Sequence, residues 1–305
     1  MDTKMSIIET RNLSFAIGAT QILKNVNLQV PQGSIYGFLG PNGAGKTTLI
    51  RILLNLFSAG SNRVFLFGED VTKNRVKVLQ RIGRFVEQPS LYGHLTGKEN
   101  LVIAQQYYGV SPSRVADVLR IVGMQEFANR KVKAYSLGMR QRIAIGQALI
   151  HDPELLILDE PTNGLDPNGI KEIRDLLVSL NTQHGKTIFV SSHLLSEIEK
   201  MCTHVGLIHH GNVLYQGIIE KLSSKTDACL KIKVKNAHLA QSVLKGQGVE
   251  SILETDSTLT LPIESEQKAA VVNRHLVENG IDVFSLTSHQ QNLEDMFISL
   301  TNDNQ

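Results

Sequence analysis

The chain has 305 residues, of which 42% are hydrophobic and 20% charged, the ordinary composition of a globular protein with room for one large domain and a small one. Its formal charge of +2 at pH 7, without a dense stripe of lysine and arginine, excludes a general nucleic-acid binder, so no nucleic-acid partner is expected. No apolar run approaches the roughly eighteen residues of a membrane span, and the residues after Met1 do not lead into a signal-peptide core, so we expect a cytoplasmic protein.

The first strands of the chain are predicted to be antiparallel. Residues 7–30 alternate between apolar and polar side chains around a turn at Gly18-Ala19, which is typical of a ribbon with one buried face. An apolar strand at residues 35–39 follows, then a glycine-rich loop at 40–47, then a helix. Strand, loop and helix in this order predict a site for phosphates.

The loop has the pattern G-x-x-x-x-G-K-T. Its glycines let the backbone curl around a polyanion, and the new helix presents its positive end to the same ligand. Lys46 is predicted to reach the β- and γ-phosphates of a nucleoside triphosphate, and Thr47 to coordinate Mg²⁺. The alternative to a phosphate-binding loop is a glycine turn beside a surface lysine. The predicted nucleotide-binding residues here are Gly40, Pro41, Asn42, Gly43, Ala44, Gly45, Lys46, Thr47 and Thr48.

The following segments predict an α/β fold. Residues 64–67 and 82–86 are predicted strands, and a helical pattern then predicts a helical subdomain at about residues 90–150. Residues 155–158 and 187–190 are almost wholly apolar, which is typical of strands buried on both faces of a parallel sheet. A hairpin is predicted at residues 205–215.

Residues 221–305 are predicted to form a small C-terminal α+β domain. Strands are expected at residues 230–234, in the hairpin of 251–262, and at 281–286. Helices are expected between the first strand and the hairpin, at 264–278, and after the last strand at 293–300. The order βαββαβ fits a ferredoxin-like domain.

Two acidic residues follow the buried strand of residues 155–158. Mg²⁺ bound to a nucleotide takes few protein ligands, usually including a carboxylate at the end of a neighbouring strand. We therefore predict that Asp159 lies on the metal side, directly or through water, and that Glu160 polarises a water for attack on the γ-phosphate. The alternative is that the two acids only terminate the strand.

The segment between the loop and these acids carries the most specific pattern, Tyr-Ser-Leu-Gly-Met-Arg-Gln-Arg at residues 135–142. It resembles the signature motif of ATP-binding cassette (ABC) proteins, usually Leu-Ser-Gly-Gly-Gln. The resemblance extends over residues 6–220 and implies an ABC transporter ATP-binding domain with the P-loop NTPase fold. Three further positions match motifs of that family: Gln88 (Q-loop), Asp166 (D-loop) and His193 (switch histidine).

The resemblance implies a site shared between two copies of the chain. The signature of one copy, Ser136, Leu137, Gly138 and Met139, would contact the γ-phosphate of ATP on the phosphate loop of the other. His193 would hydrogen-bond the γ-phosphate and hold the attacking water in line with Glu160. The implied Mg²⁺ ligands are Thr47, Gln88 and Asp159.

The resemblance also implies a membrane partner. In the family the helical subdomain receives the coupling helices of an integral membrane permease, so the surface around Leu91, Tyr92 and Glu99 is the predicted dock. The chain would then be the ATP-hydrolysing subunit of an exporter, peripheral on the inner face of the cell membrane, with ATP and Mg²⁺ as its cofactors.

Two departures from the family pattern bear on specificity. The Tyr-Ser-Leu-Gly-Met signature resembles the branch that protects against bacitracin and lantibiotics, which implies export of a peptide antibiotic or another drug. The aromatic side chain that stacks on adenine in the family is replaced by Ile17, with Phe15 two residues earlier. Either residue is a candidate contact of the base.

The competing hypothesis is a soluble ABC ATPase that acts on ribosomes or DNA. Those relatives usually carry two cassettes in one chain, or a coiled-coil or cysteine-rich insertion, and this chain has one cassette and neither insertion. A GTPase is disfavoured because no Asn-Lys-x-Asp base-reading motif is present.

Overall fold

Two groups of strands and helices make up the part of the chain that this computed structural model describes, residues 6–86, 90–220, 229–262 and 266–289. The chain divides into two compact units, Met1–Ile219 and Glu220–Gln305. The strands of the first unit are β1 (Ser6–Ile17), β2 (Thr20–Pro31), β3 (Ile35–Leu39), β4 (Val64–Leu66), β5 (Glu69–Asp70), β6 (Ile82–Phe85), β7 (Leu155–Asp159), β8 (Thr187–Ser192), β9 (His204–His209) and β10 (Asn212–Ile218). Its helices are α1 (Lys46–Leu53), α2 (Arg75–Leu79), α3 (Gly97–Tyr108), α4 (Ser113–Ile121), α5 (Leu137–Leu149), α6 (Pro167–Thr182) and α7 (Leu195–Met201).

The first sheet is antiparallel and has the order β2-β1-β4-β5. Buried Val26, Leu28 and Val30 alternate with exposed residues along β2, as the two-residue period of a strand requires. The buried hydroxyl of Thr10 is satisfied, because it donates to the Val26 carbonyl at 2.9 Å and accepts from the Leu28 amide at 2.9 Å. The predicted antiparallel subdomain is confirmed, and the strand predicted at 64–67 belongs to it.

The second sheet has the order β10-β9-β3-β8-β7-β6. Strands β9, β3, β8, β7 and β6 run parallel, and β10 pairs antiparallel with β9. Every residue of β3, β7 and β8 is buried, as expected for parallel strands covered on both faces. The register places Leu39 beside Ser192 and Asp159 beside Ser191, so the carboxyl ends of the three central strands meet at one edge.

Helices α3, α4 and α5 pack on one another and form the helical subdomain. Helix α3 begins with a capping box: Thr96 Oγ1 accepts from the Glu99 amide at 3.1 Å, and Glu99 Oε2 accepts from the Thr96 amide at 2.7 Å. The bonds from the Thr96 amide and hydroxyl hold the pKa of Glu99 below its usual value. Within the described ranges, no helix has the length and hydrophobicity to cross a bilayer.

A side-chain amide joins the two sheets of the first unit. Gln216 of β10 accepts from the Gln29 amide at 3.0 Å and donates to the Asn27 carbonyl at 2.9 Å, and both partners lie in β2. The side chain thus offers β2 one donor and one acceptor, as a peptide unit of a neighbouring strand does.

Replacing Gln216 by alanine is expected to lower the free energy of unfolding by about 1 to 2 kcal/mol, because two hydrogen bonds are lost at a partly solvated site. Urea unfolding followed by circular dichroism measures the change. Gln29→Ala is the matched control, since its side chain is exposed and its backbone amide still donates to Gln216. Equal losses in the two variants would contradict the bridging role.

The second unit contains one antiparallel sheet in the described ranges. Its elements are β11 (Cys229–Val234), α8 (Ala237–Gly246), β12 (Ile252–Thr255), β13 (Thr258–Pro262), α9 (Glu266–Glu278) and β14 (Val283–His289). The sheet order is β12-β13-β11-β14, and Leu230, Ile232 and Val234 face a core completed by both helices. We propose that this order, in which the two outer strands are the second and fourth along the chain, is that of a ferredoxin-like domain. The helix predicted at 293–300 lies outside the described residues.

Candidate active site

The phosphate loop connects β3 to α1 at the carboxyl edge of the core sheet. Gly45 caps the helix with φ 110° and ψ 5°, a left-handed conformation that favours glycine. The side chain of Lys46 is 5% exposed, and its Nζ donates to the Gly40 carbonyl at 2.7 Å and to the Pro41 carbonyl at 3.2 Å. The ammonium group therefore lies inside the loop. A cavity of about 240 Å³ opens beside it, lined by Ile22, Asn42, Gly43, Gly45, Lys46, Thr47, Thr48 and Glu160.

The two acids at the end of β7 have different surroundings. The Asp159 carboxylate is 6% exposed and accepts a hydrogen bond from Ser191 Oγ at 2.6 Å. The same Ser191 oxygen accepts from the Glu160 amide at 2.9 Å. One hydroxyl on β8 thus fixes the carboxylate of Asp159 and the backbone of Glu160 together.

Glu160 lies between two basic side chains. Its Oε1 is 3.1 Å from Lys46 Nζ, and its Oε2 is 2.8 Å from His193 Nδ1. Its φ is +46°, which is unusual for a residue with a side chain and stores strain of about 1 to 3 kcal/mol. The structure therefore brings together the lysine, the glutamate and the histidine that the sequence predicted. The Lys46 ammonium and the N-terminus of α1 can bind phosphates, and the Glu160 carboxylate beside them can accept a proton.

Comparison with known proteins agrees with this geometry. The family model described as ABC transporter matches residues 23–163, which include the phosphate loop, the signature and the two acids. The chain is 42% identical over 297 residues to the bacitracin transport ATP-binding protein BcrA of Bacillus licheniformis, a match that covers 97% of each protein. The chain belongs to the ABC transporter family.

This ABC protein is also 40% identical over 210 residues to the lantibiotic transport ATP-binding protein SrtF of Streptococcus pyogenes, covering 69% of this chain and 90% of SrtF. Among solved structures it resembles the dimeric post-hydrolysis state of the ATP-binding cassette MJ0796 bound to ADP and phosphate. That match has a TM-score of 0.61 and 26% identity, and covers 69% of this chain and 98% of the cassette. The predicted P-loop ABC ATPase fold is confirmed. The chain is the ATP-binding subunit of a transporter and hydrolyses ATP, so action on ribosomes or DNA is not favoured.

The signature motif of this ABC protein lies at the start of α5. Ser136 Oγ accepts from the Met139 amide at 3.2 Å and caps the helix, while Asp166 caps α6 by accepting from the Gly169 amide at 3.0 Å. The signature and Asp166 line one cavity of about 570 Å³. None of its lining residues lines the phosphate-loop cavity. The described part of one ABC chain therefore does not bring signature and phosphate loop into one cavity.

The two candidate contacts of the base in this ABC protein have different surroundings. The Phe15 ring stacks on Phe57, with centroids 5.5 Å apart and planes 9° apart, and packs against the core. Ile17, at the end of the hairpin, is 52% exposed. Neither lines the phosphate-loop cavity, whereas Ile22 of β2 does.

Two residues of the ABC site, Ser191 and Ile22, were not predicted from the sequence. The sequence held a signal for Ser191, because two serines end a strand whose central residues are apolar. The sequence held no signal for Ile22, because apolar residues occur throughout a half-buried antiparallel ribbon. Gln88 lies outside the described residues.

Proposed function

We propose that this chain drives export of a peptide antibiotic through a separate integral membrane permease, acting as a homodimer at the cytoplasmic face of the membrane. The proposal rests on the coverage of the match to the bacitracin transport protein, which includes 97% of both chains. That likeness includes the C-terminal unit, whereas the match to the solved cassette covers 69% of this chain. The shared C-terminal unit favours a shared type of transporter.

For hydrolysis, we propose Glu160 as the general base and His193 as the group that orients the attacking water. Lys46 supplies the positive charge for the β- and γ-phosphates. Its 3.1 Å contact with Glu160 means that the ammonium can pass from the carboxylate to the phosphates within one small cavity. Glu160 then accepts the proton of the water, because its Oε1 is released while Oε2 keeps its bond to His193.

Mg²⁺ fits the donors available beside the loop. Thr47 lines the cavity, and the buried carboxylate of Asp159 ends β7, which β8 separates from β3 in the sheet. Both residues offer the oxygen ligands that Mg²⁺ prefers. We propose these two residues, with Gln88, as its protein ligands. When bound, the ion neutralises charge on the phosphate oxygens.

The separation of the two cavities supports a dimer. The signature of one copy would close the phosphate-loop cavity of the other, and helix α5 would point its positive end at the γ-phosphate. The MJ0796 cassette is dimeric after hydrolysis, which is in keeping with this arrangement.

The permease dock is proposed along an apolar groove of the helical subdomain. The groove has a volume of about 500 Å³ and contains Leu56, Ile103 and Tyr107, which are 54%, 39% and 80% exposed. A second cavity of about 520 Å³ shares Ile103 and includes Glu99. Of the three dock residues predicted from sequence, Tyr92 and Glu99 are exposed and Leu91 is half-buried, and the Glu99 carboxylate also caps α3.

The test is antibiotic resistance in a sensitive bacterial host that expresses this chain with the membrane protein encoded beside its gene. The pair is expected to raise the bacitracin concentration that stops growth, and a Lys46→Met chain to remove the effect. Tyr107→Ala should lower resistance while the purified chain keeps its ATPase activity, because the side chain lies in the groove and not at the phosphate loop. Unchanged sensitivity to bacitracin and to a lantibiotic, with both proteins present in the membrane, would contradict the proposal.

A further inference from the structure

The turn between β9 and β10 contacts both the phosphate loop and β2. The Gly211 amide donates to the Ala44 carbonyl at 3.1 Å, and the Gly211 carbonyl accepts from the Lys24 amide at 2.9 Å. Ala44 lies in the middle of the phosphate loop, and Lys24 lies two residues after Ile22, which lines the nucleotide cavity. One residue therefore fastens the loop to a strand of the other sheet.

Only glycine fits at this position. Gly211 has φ +81°, and a Cβ added there would lie 2.3 Å from the Ile22 carbonyl oxygen and 3.0 Å from its carbon. These are backbone atoms, so a side chain cannot be accommodated by a rotamer change. Strand β9, which precedes this turn, also packs tightly on the phosphate loop. A Cβ added at Gly40 would lie 2.3 Å from the Ile208 carbonyl oxygen.

We propose that Gly211 is a positioning residue for ATP binding and hydrolysis, which holds the phosphate loop against β2 through its amide and carbonyl. The loop binds phosphates through amides that must converge. The Ala44 amide donates to the Pro41 carbonyl at 3.2 Å, which is a bond within the loop, so the Gly211 bond to the Ala44 carbonyl links this peptide to the rest of the unit. A side chain at Gly211 forces the turn away from β2. The hydrogen bond from the Gly211 amide to the Ala44 carbonyl then either displaces Ala44 or breaks. In both cases the phosphate-binding amides of the loop lose their alignment.

The test compares Gly211→Ala with Gly185→Ala. Gly185 has φ +65°, follows α6, and an added Cβ would meet no atom within 4 Å, so the control carries the backbone strain without the contact. Gly211→Ala is expected to raise the dissociation constants of ATP and of inorganic tripolyphosphate by the same factor, about 10- to 100-fold. Gly185→Ala should leave both constants unchanged. Isothermal titration calorimetry with each ligand measures them.

A second variant separates strain from contact. Asparagine adopts positive φ more readily than alanine but keeps the Cβ, so Gly211→Asn should lose as much affinity as Gly211→Ala while unfolding at a higher temperature. In the unsubstituted chain, hydrogen exchange of the Gly211 amide should slow when tripolyphosphate binds, because the loop that accepts its bond is held in place. Unchanged affinity in a folded Gly211 variant, or exchange at Gly211 that ignores the ligand, overturns the proposal.

Discussion

Replacing Glu160 by glutamine is expected to lower the rate of ATP turnover by about 100- to 10,000-fold, the usual contribution of a general base. ATP binding should persist, because glutamine has the same size and the loop residues are untouched. Hydrolysis is then too slow to reopen the proposed dimer. The variant should therefore elute as a dimer in size-exclusion chromatography with ATP and Mg²⁺, while the unsubstituted chain returns to monomer.

The chain supplies a matched control at the opposite end of the same strand. Glu154 precedes β7 and pairs with Arg81, with Glu154 Oε1 2.7 Å from Arg81 Nε. The bond from Arg81 holds the pKa of Glu154 below its usual value. Glu154→Gln makes the same chemical change in a more exposed side chain, 49% against 18% for Glu160, without touching the loop. Its turnover should match that of the unsubstituted chain. Rapid turnover by Glu160→Gln would remove Glu160 from the role of base.

The second large effect is expected for Lys46→Met, which should lower turnover by about 100- to 1,000-fold, as loss of a preorganised donor to a phosphate does. Methionine retains the length of the stem and removes the charge. Two loop carbonyls then lose their donor, and Glu160 keeps only its bond to His193. Affinity for ATP should fall together with the rate, in contrast to Glu160→Gln.

Lys171→Met is the control for the charge change, because Lys171 is exposed on α6. A steady-state ATPase assay and a binding titration on both variants give the comparison. Turnover in Lys46→Met equal to that of Lys171→Met would mean that the loop does not bind the phosphates through this side chain.

The residues that the sequence could predict are those specified by local pattern. Lys46 follows a glycine loop that opens a helix, and Asp159 and Glu160 follow a run of buried residues. Strands of a parallel sheet deliver their carboxyl ends to one edge, so the meeting of these groups needed no long-range information.

What could not be predicted depends on contacts between distant segments. Phe15 stays a candidate contact of the base, but its stacking on Phe57, a partner 42 positions along the chain, is a contact that no periodicity reveals. Ile22 reaches the cavity because β2 passes beside the loop, a matter of how the two sheets pack. The sequence predicted the strand at residues 64–67 but not the sheet that contains it. The pattern of a strand does not specify which other strand it pairs with.

The Gln216 bridge has a consequence for the order in which the molecule can be assembled during synthesis. Its two hydrogen bonds to β2 span sequence separations of 187 and 189 residues. A ribosome releases the chain from its amino end, so β2 emerges long before β10, the strand that carries Gln216, exists. Until residue 216 has been made, the Gln29 amide and the Asn27 carbonyl lack this partner, as groups at an open sheet edge do. Strand β2, the second strand to be synthesised, therefore gains these two hydrogen bonds only when the last strand of its own unit has been made.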